Sequence, residues 1–177
     1  MNSEPITWAS ARIRAAITRP ANTTDYSQFD AISGASNRHF IFENINFENK
    51  GKGFTIENAS LTSSANQSTK LSGKLLLFVV DISDQTDNAA INLTDPEILR
   101  RAVTIDFPAG DWFPGDSAAG ASGNAYCDAP NLNLFVDYQI LKQIDRKRLF
   151  AQLVADAAYT PVSGEILTVD LQITRNF

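Results

Sequence analysis

Leu167-Thr168-Val169-Asp170-Leu171-Gln172-Ile173 alternates apolar and polar side chains without a break. A period of two belongs to a strand with one face buried, because successive Cβ atoms point to opposite faces of a sheet. Leu167, Val169, Leu171 and Ile173 are therefore expected to face a core and Thr168, Asp170 and Gln172 to face outward, in a strand spanning 165–174. Just upstream, residues 148–156 carry Leu149, Ala151, Leu153 and Ala155 on one face and Phe150, Gln152 and Val154 on the other. Apolar groups on both faces predict a central or covered strand. The connecting Tyr159-Thr160-Pro161-Val162-Ser163-Gly164 has the Pro and Gly of a turn, and it predicts that the two strands pair with each other.

Working outward, residues 12–18 alternate Ile13, Ala15 and Ile17 with Arg12 and Arg14, and Pro20 ends pairing there. Short apolar runs at 39–47, 54–62, 71–82, 102–107 and 132–138 are each bounded by Gly, Asn, Asp or Pro. About eight strands result, more than one open sheet of this length holds, so the sequence predicts an all-β, jelly-roll-like β-sandwich. A short helical connector is expected at 95–100, with Asp95 as N-cap and Pro96 as the first helical residue. Residues 108–125, rich in Gly, Ala and Ser, read as a long loop, and residues 1–12 as an N-terminal arm before a single domain at 13–177.

Composition bounds the function. The chain of 177 residues is long enough for one domain with a full core, and its 44% hydrophobic and 20% charged residues are those of a globular protein. A net charge of -5 with dispersed Lys and Arg argues against a nucleic-acid partner. The short basic run Arg146-Lys147-Arg148 lies beside Asp145 and reads as a solvated strand entry. No stretch supplies the roughly 20 apolar residues of a membrane span, and Glu4, Arg12, Arg14 and Arg19 interrupt any leader-like run, so folding in the cytoplasm is expected. On that route the sequons at Asn22, Asn58, Asn66 and Asn92 have no role.

Reactive side chains are scarce. One cysteine, Cys127, excludes an internal disulfide, and one histidine, His39, is the only base that a Ser or Cys nucleophile could use. No G-x-S-x-G elbow is present, and Gly51-Lys52-Gly53 reads as a turn rather than a phosphate loop. Asp81, Asp84, Asp87 and Asn88 are hard oxygen donors, but their spacing is not that of a calcium loop and favours Asx turns after a strand. No catalytic, cofactor or metal residue is therefore assigned. Trp112 and Phe113 beside Pro114 in the long loop, and Trp8 on the arm, are the candidate subunit contacts, because aromatics dominate interface hot spots. A buried anchor is the plainer reading of the loop pair.

Several segments in order resemble a family of small virion proteins of tailed bacteriophages. They are Thr18-Arg19-Pro20-Ala21-Asn22-Thr23-Thr24-Asp25-Tyr26, Gly51-Lys52-Gly53-Phe54-Thr55-Ile56, Ala59-Ser60-Leu61, Leu75-Leu76-Leu77-Phe78, Asp87-Asn88-Ala89-Ala90 and the 159–164 turn. The resemblance implies a jelly-roll decoration or cement protein that binds the major capsid protein on the head surface of a virion. It also implies a homo-oligomer, with a trimer favoured, and no catalytic residues. On such a shell, residues 1–12 and 108–125 are expected at subunit contacts. One departure is Phe29, which stands before Asp30 where the family tends to have Gly, so the turn there is expected to differ. The competing reading is a tail or host-surface attachment module that binds carbohydrate or a receptor, with Trp112 as a sugar platform.

Overall fold

The alternating segment forms the strand β11 (Ile166–Asn176), and Leu167, Val169, Leu171 and Ile173 are all buried. It pairs antiparallel with β1 (Ser10–Thr18) on one side and with β4 (Gly53–Ser63) on the other. The computed structural model describes residues 10–43, 45, 53–115, 123–137 and 148–176. Among them the remaining strands are β2 (Ala31–Ile32), β3 (Phe40–Phe42), β5 (Gly73–Phe78), β6 (Arg101–Phe107), β7 (Trp112–Pro114), β8 (Ala125–Ala129), β9 (Leu134–Asp137) and β10 (Leu149–Ala155). One short helix, α1 (Asp95–Ile98), precedes β6.

The strands build two antiparallel sheets, one ordered β1-β11-β4-β8-β7 with β9 also on β4, the other β2-β10-β5-β6 with β3 also on β10. β2 and β3 are one interrupted strand along β10, and β8 and β9 one interrupted strand along β4. Counting each as one position leaves nine; with the three-residue edge strand β7 set aside, the other eight run in the sheet orders 1-8-3-6 and 2-7-4-5. That interleaving of first and last strands is the jelly roll that the sequence predicts. The core lies between the sheets, where Ile13, Ile17, Phe54, Leu61, Val169 and Leu171 of the first meet Phe42, Leu75, Ile105, Phe107 and Leu153 of the second. Burying each such side chain stabilises the fold by roughly 1.5–3 kcal/mol.

β10 is buried along its whole length. Its second face is covered by chain rather than by another sheet: Phe150 packs with Phe78 and Ile82, and Ile41, Leu76 and Leu93 close over them. Gln152, the one polar residue on that face, donates to the carbonyls of Ile32 and Leu153, both at 2.9 Å.

Four expectations are corrected. β10 and β11 do not pair; the 159–164 segment crosses from one sheet to the other, turning on Gly164 at φ +67. The arm is shorter than 1–12, because residues 10–12 already pair with Thr174, Ile173 and Gln172 of β11. The loop at 108–125 contains β7 and the start of β8, whose two-residue alternation is too short to stand out between glycines. The N-cap of α1 is Thr94, not Asp95, since Glu97 accepts the Thr94 N–H at 2.7 Å in a capping box. Burial alone would raise the Glu97 carboxyl, but hydrogen bonds from Ser83 and Thr94 hold it down at about 2.

Candidate functional site

β4 is the spine of the outward-facing surface of the first sheet. Register places Arg14 of β1, Asp170 of β11, Ser60 of β4 and Asp128 of β8 in one row across it. The next row on one side is Arg12, Gln172 and Asn58; on the other it is Ala16, Thr168, Thr62, Tyr126 and, on β7, Phe113. Cross-strand polar bonds fix the middle rows: Arg14 donates twice to Asp170, at 2.8 and 3.0 Å, and Ser60 donates to Asp128 at 2.6 Å.

Aromatic and aliphatic side chains stand out at two places along the β7–β9 edge. At the β7 end, Phe113 is 56% exposed and tilts against Tyr126 at a centroid separation of 5.8 Å. At the β9 end, Phe135 lies over Gly53, where a Cβ would strike its ring and the Val136 carbonyl. Phe135 and Leu99, the latter 85% exposed, line a groove of about 220 Å³ with Val79, Ala102 and Val136, rimmed by Arg100 and Arg101.

Strand alternation separates the two loop aromatics that the sequence had grouped. Phe113 points outward, but Trp112 turns into the core, and its Nε1–H donates to the Leu71 carbonyl at 2.7 Å. Trp112 is therefore an anchor, not a contact or a sugar platform. Trp8 lies outside the described residues.

At the end of the sandwich where the sheets exchange chain, three of the segments that carry the phage resemblance meet. Arg19 is fully buried, with its guanidinium 4.6 Å from the centre of the Tyr26 ring. Its Nε–H donates to the Tyr26 hydroxyl, which itself donates to Asp87 at 2.6 Å. Asp87 also accepts the Ser33 N–H at 2.9 Å. Tyr26 stacks on Tyr159, whose hydroxyl donates to the buried Glu165 at 2.7 Å. Burial first, and then the neighbouring carboxylates, push both phenols above their ordinary pKa, so both stay protonated donors. Sequence reading missed this network: an Arg before a Pro and a Glu after a Gly look like surface residues, and only the pairing of distant segments buries them.

Phe29 adopts φ 72, the left-handed conformation that glycine favours, and its side chain is exposed.

Asp81 and Asp84 flank the buried His39, the first 3.1 Å from Nε2 and the second 3.5 Å from Nδ1, without an aligned hydrogen bond to either nitrogen. Burial pulls the imidazole below its ordinary pKa, and the two carboxylates recover part of the shift. Asp87 belongs to the Arg19 network, so the acidic cluster is divided between two tasks. Among the described residues no group of three or more His, Cys, Asp or Glu side chains is placed to hold a metal ion. Cys127 is buried on β8, and burial pushes its thiol up to about 11, far from a nucleophile's range. No helix among the described residues is long and apolar enough to cross a membrane.

The class that this geometry defines is an all-β sandwich with jelly-roll strand order. No protein-family model matches the chain, and no curated protein does. Among solved structures it is similar to the CBM22-1-GH10 modules of the N-terminal endo-1,4-beta-D-xylanase 10B of Clostridium thermocellum, complexed with xylohexaose, at 13% identity and a TM-score of 0.29. That match covers 92% of this chain and 26% of the other, so this chain spans about a quarter of its length.

Proposed function

We propose that this chain is a structural virion protein, a decoration or cement protein that binds the major capsid protein on the outer surface of a tailed-phage head and works by adhesion rather than catalysis. The observation that carries the proposal is the pair of separate apolar patches on one edge, Phe113 with Tyr126 and Leu99 with Phe135. Their partner positions on β4, Thr62 and Thr55, lie about 23 Å apart at roughly 3.3 Å per residue. Exposed aromatic and arginine side chains are the usual anchors of protein contacts, and contiguous exposed apolar patches rimmed by polar residues mark interaction sites. Two patches suit a protein that bridges two neighbours, and many copies on a shell strengthen modest contacts through avidity. The segments that carry the phage resemblance add the capsid as partner and a trimer as the expected assembly.

The test is sedimentation of the purified protein alone and with empty capsids of its phage. Stoichiometric co-sedimentation is expected, weakened by Phe113→Ala and by Leu99→Asp. Failure of the unaltered protein to pellet with capsids overturns the proposal.

A further inference from the structure

Inward from that edge, the outer face of the first sheet is indented by a cleft of about 340 Å³, lined by Arg12, Asn58, Ser60, Asp128, Asp170 and Gln172, with Pro130 as a wall. The volume is at the small end of ligand sites, which run from roughly 300 to 1,000 Å³. The cleft lies where β4 changes partner. β8 leaves β4 after Ala59 and β9 joins it at Ile56, while Glu57, the extra residue of a β-bulge, has no partner on β11. The crossing chain holds Asn131 and Asn133 in the left-handed conformation, at φ 56 and 47. Bulges and strained backbone concentrate where a surface is shaped for a ligand.

The lining divides into locked and open groups. Asp170 spends both oxygens on Arg14. Asn58 is held at both ends, donating to Gln172 at 2.8 Å and accepting the Asn131 N–H at 3.0 Å. Left open among the described residues are the Arg12 guanidinium, the Gln172 amide N–H groups and the second oxygen of Asp128. Two donors and one acceptor thus converge on a preformed frame. An anion would meet Asp128 and Asp170; a cation would meet Arg12 and find no free pair of carboxylates. An extended peptide adds along a sheet edge, whereas the cleft opens on the face of the sheet over β11 and β4, each of which is paired on both sides. Adjacent hydroxyls, each able to donate and accept, match all three open groups.

We propose that this cleft binds a neutral saccharide, with Arg12 and Gln172 donating to, and Asp128 accepting from, the hydroxyls of one sugar unit. The site is independent of the capsid contact, which uses the β7–β9 edge. The test is native affinity electrophoresis of the full chain through gels containing dextran, mannan or galactan. At least one polysaccharide should retard the protein, and Gln172→Ala and Asp128→Ala should each weaken that retardation about tenfold while thermal melts show both variants folded. Absence of retardation by all three polysaccharides, or retardation unchanged in the variants, overturns the proposal. Co-sedimentation with capsids, run on the same variants, should be unaffected. Its loss in Gln172→Ala would show that the face is a protein contact, and would overturn the saccharide site while leaving the capsid reading standing.

Discussion

Arg19 and Asp87 form an ion pair at 3.4 Å between side chains that are 0% and 5% exposed, although 68 positions separate them in the chain. Removing one partner leaves the other charged and buried, which costs about 3–5 kcal/mol in comparable sites. Asp87→Ala should therefore lower stability by about that amount, read from urea unfolding. A loss below about 1 kcal/mol would show that Tyr26 and the Val162 carbonyl satisfy the guanidinium without Asp87.

Phe29 occupies a left-handed backbone position with its ring exposed. A non-glycine residue there costs roughly 1–2 kcal/mol, partly offset by the greater freedom glycine has when unfolded. Phe29→Gly is predicted to raise stability by about 1 kcal/mol. A drop on thermal or urea denaturation would mean that the ring makes packing contacts that outweigh the strain.

His39 titrates against stability in a direction fixed by its environment. Burial lowers its folded pKa below the ordinary value near 6.5, despite Asp81 and Asp84 and with Arg38 adding to the lowering, while the ring packs edge-on against Phe150. The unfolded chain then binds the proton first, so acidification favours unfolding. The His39 contribution is fully present above about pH 6.5 and declines as the pH falls below it. Because the chain has one histidine, His39→Gln should flatten the dependence of melting temperature on pH between about 7.5 and 5.5. An unchanged slope would assign the dependence to the carboxylates.

Trp112 and Phe113 are adjacent but should behave oppositely. Trp112→Phe removes a buried N–H···O bond and leaves the Leu71 carbonyl unpaired by it, at a cost of about 1–3 kcal/mol. Phe113→Ala should stay within about 0.5 kcal/mol of the unaltered protein in stability. If both variants were equally destabilised, the outward orientation of Phe113 would be wrong.

What the sequence reveals is what repeats along it. The two-residue period of 167–173 and of 12–18 marks strands whose inward residues are the observed core, the short apolar run at 54–62 marks β4, and apolar groups on both faces of 148–156 mark the covered strand. Partner choice is less legible: the turn at 159–164 carries the right residues for a hairpin, yet the same Pro and Gly serve a crossing between sheets. Of the contact candidates, Trp112 is the buried anchor that the plainer reading of the pair expects and Phe113 is exposed, a difference set by the first residue of a three-residue strand hidden among glycines. The cleft was invisible because Arg12, Asn58, Asp128 and Gln172 are ordinary strand residues until register aligns them.

The marriage of the first strand to the last has a consequence for synthesis. Arg14 meets Asp170 across 156 positions, and β1 has no sheet neighbour other than β11 among the described residues. A chain still emerging from the ribosome must keep β1 unpaired until β11 has been made, because loop closure over so long a span precedes any reward from the contact. A product truncated before β11 should leave β1 unpaired and the first sheet open between β1 and β4.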